Sequence, residues 1–444
     1  VRHLLIAACL ACGLLSACGP VPLIVLGAAA GAGAFSGGGH HGGHGGGSTN
    51  VPPPPPPPSP PGPPTPPPPQ GPPPPPPIPP RYAPETLSVP PHGGGLNPIA
   101  IGAGDVNGDG KLDLMVLGAL TQHGSGIYTG PSTFYNQGDG TFGPIVETGL
   151  GAGLFASYMT VADIDSTGPA FVITGLSAYG VAIFEDGGLG TQLVIPNTGA
   201  IFYGAMVAVA DVNRDGLLDL VIPEFLGPGT SSLSIFLSQG GGTFGTRIDV
   251  ATAPQPQWVT VGDLNGDGNP DLAVVGAITS DVVSVYWGDG HGGFGSSTDF
   301  GTGSGAARVA MADVMGAGHT DLIVTKSADD TVSILAGDGH GGFAPHIDFP
   351  TGPSPGAIAV ADLNGDGCPD LAIANLGSNT VTVLLNDGHG GFASRTDYVV
   401  GTGPNSVVLA DFNGDGVLDL AVSNGGANTI TVYFGLANGT FLDH

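Results

Sequence analysis

Positive charge is scarce in this chain: eight Lys and Arg stand against 36 Asp and Glu in 444 residues, a net charge of −28 at neutral pH. Such a surface repels phosphate, which excludes nucleic acid and anionic membrane surfaces as partners. No acidic residue occurs before position 81, so composition divides the chain into an acid-free leader and an acidic body. Cysteine is nearly absent too. Cys9, Cys12 and Cys18 fall within the first eighteen residues and Cys368 stands alone in the body, which excludes a disulfide-stapled scaffold and leaves the body with no expected disulfide. Catalytic signatures are equally thin. Neither a G-x-S-x-G nor an H-E-x-x-H motif is expected; lyase chemistry would need a base and a cation beside the substrate, with only Lys111, Lys326 and six arginines on hand. The expectation is a protein that is not an enzyme.

The leader reads in three parts. Residues 1–18 hold Arg2, an apolar run from Leu4 to Leu15, and then Leu15, Ser16, Ala17 and Cys18. An apolar run this short after a basic residue reads as an export signal rather than a spanning helix. Its end resembles the lipobox of bacterial lipoproteins, which implies lipidation at Cys18, membrane attachment through that lipid, and an exported protein at the bacterial outer membrane or cell surface. Residues 19–50 are apolar and then rich in Gly and His, with His40, His41 and His44 flanked by too many glycines to be organised as a metal site. Residues 51–80 contain 23 prolines. Polyproline geometry at about 3.1 Å per residue makes this stretch a semi-rigid stalk of roughly 90 Å. The stalk is expected to be disordered in the sense of having no packed core.

The body, residues 81–444, is organised by a recurring nonapeptide, D-x-N-x-D-G-x-x-D. Complete copies start at Asp105, Asp211, Asp263, Asp362 and Asp411, and degenerate ones at Asp163 and Asp313. Side-chain oxygens at alternating positions of a glycine-bent loop suit a hard cation taking six to eight oxygens, so about five Ca²⁺ sites are expected. The acidity of the body is then largely a calcium requirement. Successive starts lie 58, 48, 52, 50, 49 and 49 residues apart, the period of a propeller or solenoid. In the sixth repeat, Ala357 to Ala361, Leu371 to Asn375, Thr380 to Leu385 and a segment ending near Tyr398 read as four strands, with the metal loop between the first two and a glycine hairpin before Phe392.

That content per repeat predicts an all-β, seven-bladed β-propeller of four-stranded blades. The chain stops where the fourth strand of the last blade should begin, while Glu85 to Pro90 sits where a fourth strand would precede the first blade. The N-terminal strand is therefore expected to close the ring. Hairpin phenylalanines recur at Phe142, Phe244, Phe294, Phe343, Phe392 and Phe441 and are expected to pack between blades.

The tandem loops followed by D-G-x-G-x-F hairpins resemble FG-GAP (VCBS-type) repeats, as in the propeller of integrin α subunits, over about residues 85–444. In that family the loop between the first two strands of a blade binds Ca²⁺. The resemblance implies ligation by Asp105, Asn107, Asp109 and Asp113 with the Lys111 carbonyl, and by Asp211, Asn213, Asp215 and Asp219 with Leu217. It implies the same for Asp263, Asn265, Asp267 and Asp271 with Asn269; for Asp362, Asn364, Asp366 and Asp370 with Cys368; and for Asp411, Asn413, Asp415 and Asp419 with Val417. The second blade keeps Asp163, Asp165 and Thr167 but has Phe171 at position nine; the fifth has Met315 and Ala317 in place of two ligands. The fifth loop is expected to bind nothing and the second only weakly. An EF-hand is excluded because position twelve is Val116 or Ile373 rather than Glu.

On the rim opposite the metal loops, aromatics gather over blades one to four: Tyr128, Phe155, Tyr158, Tyr179, Phe202, Tyr203, Phe225 and Trp258. Rigid aromatics on scaffolded loops suit binding, sugar stacking in particular, so an asymmetric ligand patch is expected there. The competing reading has Tyr158 and Trp258 filling space around the channel. The patch reading expects Trp258→Ala to abolish ligand binding at unchanged thermal stability. The function expected is a non-catalytic, calcium-stabilised cell-surface propeller for adhesion or capture of a glycan or protein ligand. A carbohydrate-binding lectin is the alternative, and a polysaccharide lyase a more distant one.

Overall fold

The computed structural model describes residues 85–89, 96–120, 131–147, 156–164, 168–175, 179–184, 192–196, 206–225, 231–252, 255–276 and 281–442. The signal, Cys18, the Gly/His segment and the proline-rich linker lie outside the described residues.

Seven antiparallel four-stranded sheets form the blades of a β-propeller. Blade six runs Pro355–Ala361, Asp370–Asn375, Thr380–Leu385 and Ser394–Val399, from the axis outward. Its neighbours repeat the order. The first strands are Leu96–Gly104, Ala156–Ala162, Ala208–Ala210, Trp258–Gly262, Ala306–Ala312 and Pro404–Ala410 in blades one to five and seven. Each blade is pressed between two others, so its inner strands need apolar side chains on both faces. Asp271–Val275 and Asp370–Asn375 are buried along their whole length, whereas the outermost strand of blade six is largely exposed. That is why the second strands read as unbroken Leu, Ala, Ile and Val rather than as an alternation. Each such side chain contributes about 1.5–3 kcal/mol on burial.

The ring closes as the sequence leads one to expect. Glu85–Ser88 pairs with Thr429–Tyr433, Leu87 opposite Ile430, and completes the seventh blade. Val89 N extends the closure by donating to Asn428 O at 3.0 Å. The seventh blade is thereby built from both ends of the repeat array.

The hairpin phenylalanines do pack between blades. Phe142 of blade one meets Phe412 of blade seven edge-on at 5.7 Å, Phe343 meets Phe300 at 4.9 Å, Phe392 meets Phe349 at 5.1 Å, and Phe441 meets Tyr398 at 5.4 Å. Buried asparagines add polar links: Asn386 Nδ2 donates both to Pro369 O in its own blade and to Val314 O in blade five, and Asn136 Nδ2 likewise to Leu112 O and to Phe412 O. These two hairpins thus sit on the loop of the preceding blade. Cys368, the seventh position of the sixth loop, is buried.

Candidate metal loops and the ring at the axis

The loop at Asp362 shows how the nonapeptide folds. Asp362 Oδ1 accepts from Gly365 N at 2.7 Å and Asp366 N at 3.2 Å, while Oδ2 accepts from Gly367 N at 2.8 Å. Asn364 Oδ1 accepts from Asp366 N, and Asp366 Oδ1 from Cys368 N, both at 2.8 Å. Gly365 and Gly367 adopt φ +75° and +87°, a region costly for a side chain, which is why glycine flanks the fifth position. The loops beginning at Asp105, Asp211, Asp263 and Asp411 repeat this wrapping of backbone N–H groups around the first carboxylate. In the second blade Asp163 accepts from Gly168 N at 3.4 Å; Asp165 and Thr167 lie outside the described residues.

The ninth position behaves differently. Asp370 has no solvent exposure: Oδ2 accepts from Leu363 N at 2.9 Å and Oδ1 from Asn386 N at 2.7 Å. Asp113, Asp219, Asp271 and Asp419 make the same pair of bonds, to the second loop residue and to the end of the third strand. So does Asp321 in blade five, whose loop has lost two of its ligand positions. The ninth aspartate is thus a staple joining loop, second strand and hairpin, whether or not the rest of the loop can take a metal. Burial pushes the Asp370 and Asp419 carboxyls up to about 7 and those of Asp219 and Asp321 up to about 6, against their backbone hydrogen bonds. In the five complete loops the first and fifth carboxylates raise the ninth further.

Three carboxylates, an asparagine oxygen and a carbonyl form a donor set suited to a hard cation. The residues therefore fit calcium in chemistry. Among the described residues no three His, Cys, Asp or Glu side chains converge closely enough to hold a metal ion as they stand. A cation would be taken by the exposed oxygens at positions one, three and five with the carbonyl of position seven, the ninth carboxylate supplying charge from beneath.

The aromatic rim resolves differently from expectation. Tyr128, Phe155, Phe202 and Tyr203 lie outside the described residues; Tyr179 and Phe225 sit at the start and end of strands Tyr179–Phe184 and Asp219–Phe225. Trp258 is no exposed platform. It is 4 % exposed, its Nε1–H donates to Val309 O at 3.1 Å, Tyr158 meets it edge-on at 5.4 Å, and the Arg308 guanidinium lies 3.9 Å from the ring centroid. The space-filling reading holds for Trp258, because a first strand begins at the crowded axis, where large side chains meet across blades. Trp258→Ala is accordingly expected to cost about 3–5 kcal/mol of stability, measured by denaturant unfolding, rather than to leave stability unchanged.

Arg308 is a residue that the sequence reading passed over. Tyr158, Trp258 and Arg308 each precede the first loop aspartate by five residues, a signal that counting back from Asp163, Asp263 and Asp313 would have found. A G-x-S-x-G spacing does occur once, at Gly352 to Gly356, which corrects the expectation of none. It is a link between blades: Ser354 has φ +53°, its N–H donates to Asp330 Oδ1, and a strand rather than a helix follows. A nucleophile elbow requires a strand-to-helix turn.

FG-GAP-like repeats are recognised at residues 105–170, 211–274, 313–373 and 369–422, more than half of the chain. The protein belongs to the FG-GAP-like repeat family. Among solved structures it is similar to the BP39L lectin from Burkholderia pseudomallei, with 14% identity over 78% of this chain and 98% of that one and a TM-score of 0.60. It is also similar to a catalytically inactive virginiamycin B lyase from Staphylococcus aureus solved with quinupristin (15% identity, 78% and 98% of the two chains, TM-score 0.50). A third similar structure is BBS1N in complex with ARL6DN (13% identity, 78% and 96% of the two chains, TM-score 0.51). At such identities these likenesses concern the fold. No curated protein matches the chain.

Proposed function

We propose that this propeller is a non-catalytic binding domain, stabilised by calcium in five loops and displayed outside the cell on a proline-rich stalk from a lipid at Cys18, where it captures a glycan or protein ligand. The observation that supports the calcium part is the repeated gathering of three carboxylates in each complete loop, the ninth pushed up in pKa by burial first and further by repulsion from the first and fifth. Cation binding relieves that repulsion. The capture part rests on the rim opposite the loops, where the first strands of the blades begin. Elemental analysis after dialysis against calcium is the direct test: about five equivalents are expected, and one or none would overturn the reading.

A lectin is the second reading, favoured by the similarity in fold to the BP39L lectin. Saccharide-array binding that is competed by free sugar would establish it, whereas array silence together with protein capture would favour adhesion to protein.

A further inference from the structure

Six Lys and Arg lie among the described residues, and five of them meet an oxygen. Lys111 pairs with Asp109, Arg214 donates to Asn269 Oδ1, Arg247 reaches Glu224 and Asp249, Lys326 reaches Asp329 and Asp348, and Arg395 reaches Asp397. Among the described residues Arg308 meets no such partner: what touches its guanidinium is the face of Trp258 at 3.9 Å. Burial pulls its pKa down, and among the described residues the titratable group that acts back on it is the Tyr158 hydroxyl. That hydroxyl is itself pushed up to about 12 by burial and so stays a donor. An arginine in a chain with 36 acidic residues has thus been placed where none of the described carboxylates reaches it.

Its position explains how. Arg308 pairs with Thr325 in the register that sets Ala312 opposite Asp321; Tyr158 holds the same place in blade two, opposite Thr174, and Trp258 in blade four, opposite Val275. Counting back five from each loop's first aspartate gives Ala100, Met206, Ala357 and Ser406 in the remaining blades. One level of the axial ring is therefore bulky over blades two to five and small over blades six, seven and one. It lies near the start of the first strands, at the rim opposite the metal loops. A half-buried guanidinium keeps its charge, and its fork of N–H donors matches a carboxylate in two parallel bonds. Leaving it without an anion in a water-poor site is costly, and stacking on Trp258 offsets only part of that cost.

We infer that Arg308 and the Tyr158 hydroxyl form a carboxylate-binding subsite at the axial mouth, and that the ligand captured there is an acidic saccharide carrying a hexuronate. The inference rests on the proposal that this rim binds a ligand. A free aliphatic carboxylate shares the key chemistry and is the other source to be distinguished.

The full-length protein carrying Trp287→Phe leaves Trp258 as its only tryptophan, so fluorescence titration with galacturonate, galactose and acetate reports on the subsite directly. Galacturonate is expected to shift the Trp258 emission at millimolar concentration while galactose does not, and Arg308→Gln to weaken galacturonate by at least about tenfold. Tyr158→Phe keeps the ring against Trp258 and removes only the hydroxyl, so a severalfold weakening is expected even where the arginine variant folds poorly. Acetate binding as tightly as galacturonate would overturn the saccharide assignment. Galacturonate and galactose binding alike, with Arg308→Gln unaltered, would overturn the subsite while leaving glycan capture standing. Silence towards both acids would overturn the subsite, and the saccharide array then decides the wider reading separately.

Discussion

Asp321→Ala should lower the unfolding free energy by about 3 kcal/mol or more, because it strips the acceptor from three backbone amides at once, and an orphaned buried donor costs about 1–3 kcal/mol. Those donors are Val314 N and Met315 N at 2.9 Å from Oδ2 and Gly337 N at 2.9 Å from Oδ1. Blade five makes the experiment clean: its loop carries Met315 and Ala317 where the complete loops carry ligands, so the loss should be equal in calcium and in chelator. A loss seen only in calcium would show that the ninth aspartate acts through metal and not as a staple.

Asp321→Asn probes the charge. The folded-state value is raised from 3.8 to about 6, so the folded protein holds this proton more tightly than the unfolded chain does. The carboxyl's stabilising contribution is therefore complete below about pH 4 and is lost as pH rises through about 6. Wild type measured against the asparagine variant should lose about 2–3 kcal/mol between about pH 4 and pH 7. A flat difference would mean that the carboxyl titrates normally.

Periodicity carried most of the architecture. The spacing of Asp105 to Asp411 sets the blade count, and the positions of Glu85 and Phe441 at opposite ends of the repeat array announce the closure. Individual roles within the repeat were harder to read, since a pattern of aspartates does not distinguish an oxygen facing an ion from one facing a backbone amide. The distinction was nevertheless written in blade five, which keeps Asp321 after losing two ligand positions. Trp258 misled for a related reason. An aromatic at a strand start can face solvent or the axis, and only the cross-blade distances to Tyr158 and Arg308 decide. The outer-strand aspartates escaped notice as well. Asp249, Asp299, Asp348 and Asp397 each accept from a serine or threonine on the adjacent third strand, which ties down strands that bury little apolar surface.

Chelation is expected to have the largest effect of all, a fall in Tm of roughly 10 °C or more on removing calcium from the full-length protein, followed by circular dichroism or calorimetry. A ligand bound only by the folded state stabilises it by about 2.7 kcal/mol per site at a hundredfold excess over Kd. Five independent loops multiply that. The ion-free loops would also be left with three nearby carboxylates, and at Asp370 and Asp419 the first and fifth carboxylates add to the upward push that burial mainly supplies. Substituting one loop separates these contributions. Asp362→Ala with Asp366→Ala should remove one equivalent of calcium and about a fifth of the chelator effect, because loops on separate blades share no ligands and distant sites add. The same pair of changes should leave the staple at Asp370 in place, so the calcium-free protein should become more stable than wild type in chelator as two repelling charges disappear. A calcium-free variant less stable than calcium-free wild type would place the value of Asp362 and Asp366 in their bonds to Gly365, Gly367 and Cys368 N–H, and would deny calcium its central part in holding the ring.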